Sequence, residues 1–338
     1  MPPQEVQGEP PHIAVVIPCY KVKSHILQVL DLIPEFVHTI YVIDDACPEK
    51  SGEFVCAHNE DPQVSVIFLN KNCGVGGAVK AGYQAALSSG AEIIIKVDGD
   101  GQMDPREIEE LIAPILSGDA FYAKGNRFAD LSRIHQMPKV RIFGNLALSF
   151  LTKLSTGYWR MFDPNNGFTA IHSQALRNID LMKIDNRYFF ESDMLFRLGL
   201  LRVNVVDVPI GAKYGDEKSN LRIGRTLFEF AGKHLRNAVK RIIYTYYLRD
   251  FTLASIELPL GILGTSLGTG VGLYSWIHGI ITHQRSSNGT IGLVSISIIL
   301  GIQFLLAFLS FDVNNSPWNG SDFQIKSRDL SSPQVRQL

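Results

Sequence analysis

Two nucleotide-binding signatures are missing from this 338-residue chain. The turn from Asn70 to Lys80 is rich in glycine but lacks the G-x-G-x-x-G spacing, and no G-K-[ST] occurs anywhere. Dehydrogenase and P-loop ATPase readings both lose support. The four cysteines, Cys19, Cys47, Cys56 and Cys73, form no C-x-x-C pair, and no histidine is spaced to complete a zinc site. They read as reduced thiols, mostly buried. His135, His172 and His234 are lone histidines without a visible ligand or triad partner. A net charge of −1 supplies no global field for nucleic acid. The Pro- and Glu-rich residues 1–11 lack the apolar core of a signal peptide and are expected to form a flexible tail.

Apolar residues, 46% of the chain, are unevenly distributed. Up to about Gly215, short apolar runs alternate with polar breaks. His12–Cys19, Thr39–Ile43, Val64–Leu69 and Glu92–Val97 are β-branched runs of strand length. Ser24–Phe36 and Gly77–Ser88 have helical spacing between them. This alternation predicts an α/β fold, a mostly parallel sheet with flanking helices. Ligands bind beyond the carboxyl ends of such strands. Three of these ends carry Pro18-Cys19-Tyr20, Asp44-Asp45 and Asp98-Gly99-Asp100.

From Arg225 to Leu248 the chain is amphipathic and basic, as expected of a helix lying in the headgroup plane of a membrane or packed on the catalytic domain. Apolar stretches at about 251–280 and 290–312 follow, each near or above the ~20 residues that cross the hydrocarbon. They predict a two-helix transmembrane hairpin, with the preceding basic run in the cytoplasm and both termini on that side. The expected organisation is a tail over 1–11, a catalytic domain over 12–220, a juxtamembrane helix region over 221–249, two spans over 250–313 and a polar tail over 314–338.

The chemistry begins at Val97-Asp98-Gly99-Asp100-Gly101-Gln102. Two carboxylates one residue apart at a strand end, with an amide oxygen nearby, suit a hard divalent cation. Such an ion would bridge a donor's diphosphate and neutralise its leaving charge. Asp45 could accept hydrogen bonds from a base or ribose, or close an Asx turn. Tyr20 could stack on a base, or simply pack. The glycine-rich turn, with Gly76 and Lys80, leads into a helix whose first N–H groups suit an anion.

In this order, V-I-P-C-Y at 16–20, V-I-D-D-A-C-P at 42–48, N-C-G-V-G-G-A at 72–78 and D-G-D-G-Q-M-D-P at 98–105 resemble glycosyltransferase family 2 enzymes of the GT-A fold. The resemblance is nearest to the membrane-anchored polyprenol-phosphate glycosyltransferases, the dolichol-phosphate mannose synthase-like branch. It implies that Pro18, Tyr20, Asp45 and Asp98 line the nucleotide-sugar pocket and that Asp100 and Gln102 ligate the metal, Mg2+ or Mn2+. Asp98, Asp100, Asp193 and Arg127 are then the expected catalytic set, with Arg127, Arg141, Lys218 and Ser219 on the acceptor phosphate. Asp163-Pro164-Asn165-Asn166-Gly167-Phe168 resembles the family's D-x-x-S-G-F, with Asn166 in place of Ser. Glu191-Ser192-Asp193 matches its acidic pair on the acceptor side.

The expected activity is inverting transfer of a sugar from a UDP- or GDP-linked donor to a polyprenyl phosphate. The expected partners are that donor, the lipid acceptor, the membrane and, through the glycine-rich spans, a second copy of the chain; nucleic acid is not among them. A polysaccharide synthase of the same fold is the rival enzyme, although its Q-x-x-R-W segment is missing. A non-catalytic lipid-binding scaffold is the alternative outside enzymes.

Overall fold

Strands that are apolar at every position need cover on both faces, which a sheet gains only with helices above and below it. The computed structural model describes residues 10–127, 139–161, 163–164, 166–211 and 223–317. β1 (Ile13–Cys19) pairs in parallel with β2 (Thr39–Asp44) and with β4 (Ile93–Lys96), and β2 carries β3 (Val64–Phe68) on its outer edge. Beyond β4 come β6 (Thr169–His172), antiparallel to its neighbours, then β5 (Tyr122–Asn126) and β7 (Val205–Pro209). The order is β3-β2-β1-β4-β6-β5-β7.

Successive side chains of a strand point to opposite faces, and β1 sorts accordingly. Ala14 and Val16 join one core cluster with Ile43, Ile94, Tyr83 and Leu195. Val15 and Ile17 join the other with Val42, Ile95, Ile26 and Leu111. The first face is covered by α3 (Val75–Ser88), α6 (Ser173–Arg177) and α7 (Phe190–Leu200). The second is covered by α1 (Ile26–Asp31), α2 (Ser51–His58) and α4 (Ile108–Leu116). The fit of α3 on the sheet requires a missing side chain: a Cβ on Gly82 would lie 2.2 Å from Val16 Cγ1. Cys19 and Cys47 are buried as expected, but Cys56 is exposed on α2.

After α5 (Lys139–Thr156), α6 and α7, the long α8 (Ile223–Ile243) follows β7. The chain divides into two compact units, the first reaching Asn237 and the second spanning Ala238–Ser316. Within the first, His234 of α8 is 1% exposed, and its Nδ1 lies 2.9 Å from Ser155 Oγ of α5. Lys233 Nζ donates to Asp185 at 2.8 Å, and Phe230 stacks edge-on against Phe189. Elsewhere on α8, Leu235, Val239 and Ile243 are exposed at four-residue spacing, a narrow apolar stripe.

The second unit contains α9 (Leu253–Thr282) and α10 (Asn288–Asn314), both long and apolar enough to cross a membrane. Gly261, Gly264 and Gly268 of α9 meet α10 closely, and a Cβ on Gly264 would stand 3.2 Å from the Gly301 Cα. These small residues serve the seam of the hairpin itself. Arg241, near the end of α8, makes a two-pronged ion pair with Asp312 of α10 at 2.7 and 2.8 Å, and the hydroxyl of Tyr246, between α8 and α9, donates to the same carboxylate at 2.6 Å.

Two stability predictions follow from this packing. Gly82→Ala would ordinarily gain helix propensity, about 1 kcal/mol. Here overpacking against Val16 wins, with a net loss of about 1–3 kcal/mol expected in denaturant unfolding of the full chain in detergent. Burial lowers the His234 pKa to about 4 from its ordinary 6.5. Between those values the unfolded chain binds the extra proton, so stability falls as pH drops through the window. The loss should approach about 2 kcal/mol at pH 5, and His234→Gln should flatten that slope in melts taken from pH 7 to pH 5.

Candidate active site

The carboxyl ends of β1, β2 and β4 meet because their register aligns Cys19 with Asp44 and Val16 with Lys96. The loops beyond these ends frame a cleft of about 600 Å³. Pro18, Tyr20, Asp45, Asp98 and Asp100 line it, as the sequence predicts. Glu191, read from the sequence as half of an acceptor-side acidic pair, lines it too, as do Lys21, His25, Arg187 and Tyr188, which the sequence reading did not single out. The rim is strained, with Lys21 and Ala46 in the left-handed region at φ 59° and 50°. Lys21 is held there by its N–H donating to Cys47 Sγ at 3.1 Å.

The two aspartates after β2 divide the work. Asp44 accepts from the N–H groups of Cys47 and Gly52, both at 2.7 Å, and so seats the loop that begins α2. Asp45 accepts from Cys73 N at 2.6 Å and Gly74 N at 2.8 Å. Burial raises the Asp45 pKa, while these two hydrogen bonds oppose the rise.

The glycine-rich turn therefore does not offer these N–H groups to an anion. Gly77 N donates to Asn186 O at 3.0 Å, and a Cβ on Gly76 would lie 2.4 Å from Asp185 O. The glycines are needed because the backbone of residues 185–187 rests on them. Gly76 and Lys80 are not among the residues lining the cleft, although Gly74, Val75 and Ala78 are. Lys80 donates to Ile184 O at 2.8 Å, and burial lowers its pKa.

α7 separates its two acidic residues. Positions two apart on a helix point about 200° from each other. Glu191 faces the cleft, whereas Asp193 accepts from Asp185 N at 3.0 Å and Asn237 Nδ2 at 3.1 Å. Asp193 thus joins α7, the 185–187 loop and α8, and is not among the residues lining the cleft. The Arg127 fork is likewise engaged, giving Nε to Asp163 at 2.9 Å and Nη2 at 3.2 Å. That pair anchors the loop holding Gly167, and Arg127 is not among the cleft residues. The Gln102 side chain is exposed outside the lining. The Arg141 side chain, Lys218 and Ser219 lie outside the described residues.

Two buried lysines lie in one row across the sheet, Lys96 and Lys124 both registering with Thr169. Lys96 is 1% exposed, and its ammonium reaches Asp98 Oδ1 at 2.7 Å, Glu191 Oε1 at 3.2 Å and Gly167 O at 3.3 Å. Burial disfavours its charge, but the two carboxylates outweigh that and push its pKa above the ordinary lysine value. Lys124 donates to Asn166 O, and burial lowers its pKa to about 8 against the pull of Asp163 and Glu191. The signal for Lys96 in the sequence was a charged residue inside the apolar run I-I-I-K-V.

Among the described residues, no group of three His, Cys, Asp or Glu side chains is gathered as a metal site. Asp98 and Asp100 offer only oxygen donors, a set that fits a hard cation sharing its coordination sphere with a bound diphosphate.

Residues 14–180 match the profile of glycosyl transferase family 2. An uncharacterised protein of Methanocaldococcus jannaschii is 32% identical over 203 residues, covering 60% of this chain and 82% of that one. The undecaprenyl-phosphate mannosyltransferase of Micrococcus luteus is 29% identical, covering 59% and 82%. Among solved structures, the glucosyl-3-phosphoglycerate synthase of Mycobacterium tuberculosis, in complex with Mn2+, UDP-glucose and phosphoglyceric acid, shares the fold with a TM-score of 0.51. Its identity is 16%, over 68% of this chain and 79% of that one. The GT-A-like sheet, the cleft at its strand ends and the 14–180 match agree: this chain belongs to glycosyl transferase family 2.

Proposed function

We propose that the protein transfers a sugar from a nucleoside-diphosphate donor to a polyprenyl phosphate at the cytoplasmic membrane surface, with inversion. The observation that carries this reading is the meeting of Asp45, Asp98, Asp100 and Glu191 in one cleft, in a chain with two candidate membrane spans. The mannosyltransferase of Micrococcus luteus, named for an undecaprenyl-phosphate acceptor, supports the lipid. The Mn2+ and UDP-glucose in the mycobacterial synthase support a metal-assisted nucleotide-sugar donor.

Pro18, Tyr20 and Asp45 would contact the nucleoside, and Lys21 and Arg187 would face its diphosphate. Asp98 and Asp100, with Gln102 swinging in, would hold Mg2+ or Mn2+. That ion, when bound, supplies positive charge against the diphosphate. A phosphate monoester, with a second pKa near about 6, is already largely ionised at neutral pH. Its oxygen can attack the anomeric carbon directly, the bond to the diphosphate breaking as the new one forms. The protein's task is then positioning more than deprotonation, and Glu191 would orient the acceptor or sugar. The exposed Leu235-Val239-Ile243 stripe of α8, flanked by Arg236 and Lys240, suits the headgroup plane.

The test uses membranes containing the protein, labelled UDP-glucose and GDP-mannose in parallel, Mg2+ or Mn2+, and added polyprenyl phosphate. Label should enter the organic phase with one donor and fall by at least about 100-fold in Asp100→Ala. No lipid label from any of a wider donor panel, with nucleotide binding intact, would favour a polysaccharide synthase. No metal-dependent nucleotide binding would leave a scaffold. A paired comparison separates the two acidic residues of α7. Glu191→Gln should cut turnover far more than its loss of one Lys96 contact lowers the melting temperature, whereas Asp193→Asn should act mainly on the melting temperature as it frees the 185–187 loop.

A further inference from the structure

We propose that Lys96 is a positioning residue coupling the donor-side carboxylate Asp98 to the acceptor-side carboxylate Glu191. This rests on the reading of the cleft given above. One ammonium has three N–H donors, and three acceptors from three separate segments surround this one. Asp98 Oδ1 comes from the loop after β4, Gly167 O from the loop before β6, and Glu191 Oε1 from α7. Lys96 shares its face of the sheet with Ile94, the face that α7 covers, so its stem rises through the core between both sides of the cleft. The seat is built for this contact: a Cβ on Gly167 would fall 2.5 Å from Lys96 Nζ and 2.7 Å from Asp98 Oδ2.

Two carboxylates lining one cleft repel each other, and a single buried cation between them makes their positions interdependent. When an acceptor engages Glu191, the share of the ammonium held by Asp98 changes. The carboxylate that meets the metal and diphosphate is thereby oriented by events on the acceptor side. Groups that hydrogen-bond a metal's ligands typically govern metal affinity by about 10- to 100-fold.

The experiment is a double-mutant cycle on the full chain in detergent. It reads Mn2+-dependent binding of UDP and of GDP by calorimetry, and bound Mn2+ by electron paramagnetic resonance. Lys96→Met keeps most of the stem and removes the charge; it should weaken Mn2+–nucleotide binding by about tenfold or more. Glu191→Gln should shift that affinity by several-fold in the wild type and leave it unchanged in the Lys96→Met background, which a merely structural lysine would not produce. Gly167→Ala keeps every charge yet wedges the ammonium from Asp98, and should also weaken binding should Lys96→Met fail to fold. Additive effects of Lys96→Met and Glu191→Gln, or wild-type affinity in Gly167→Ala, would overturn the coupling. Absence of metal-dependent nucleotide binding in the wild type would instead sink the reading of the cleft on which it stands.

Discussion

The cleft depends on backbone meeting backbone. Residues 185–187 lie directly on the 74–77 turn, close enough that Gly74 and Gly76 admit no side chain, and Gly77 N binds Asn186 O. Asp45 holds the near side of the same turn by Cys73 N and Gly74 N. Buried backbone groups must find partners, and here each partner is also a wall of the site. Arg187, Tyr188 and Glu191 reach the cleft because the loop ahead of α7 is seated on glycine. The seat is extended by Asp193, which accepts from Asp185 N, and by Lys233 of α8, which pairs with Asp185.

Much of this was legible in the chain, for identifiable reasons. Continuous β-branched runs ending in Pro18, Asp44 and Asp98 mark buried parallel strands whose carboxyl ends converge. Two long apolar helices are readable from length alone. The roles of single charged residues were harder. Asp45 satisfies both readings open in the sequence, closing a turn and lining the cleft. Arg127 attracts attention as a phosphate ligand, yet its geometric match is Asp163, which is distant in sequence. Glu191 and Asp193 look equivalent until helix geometry places them on different faces.

Lys96 and Lys124 illustrate the opposite case. Each is buried in a strand, where a charge is expensive unless paired. That anomaly was visible in I-I-I-K-V and Y-A-K-G-N. What the sequence could not supply was the partner: Glu191 and Gly167 reach Lys96 from beyond the strand, and the Lys124 acceptor, Asn166, comes from a loop 42 positions away.

The Arg241–Asp312 pair bears on how the chain is made. Arg241 precedes both candidate spans and Asp312 closes the second, 71 residues later. During synthesis the guanidinium emerges first and cannot meet Asp312 until the whole hairpin has been translated. Burying it earlier would strand a charge, at a cost of several kcal/mol. The pair can therefore close only around a finished hairpin. A chain truncated within α10 would lack Asp312 and so lose both prongs of this pair, which makes the last turn of α10 the piece that locks the finished hairpin to Arg241.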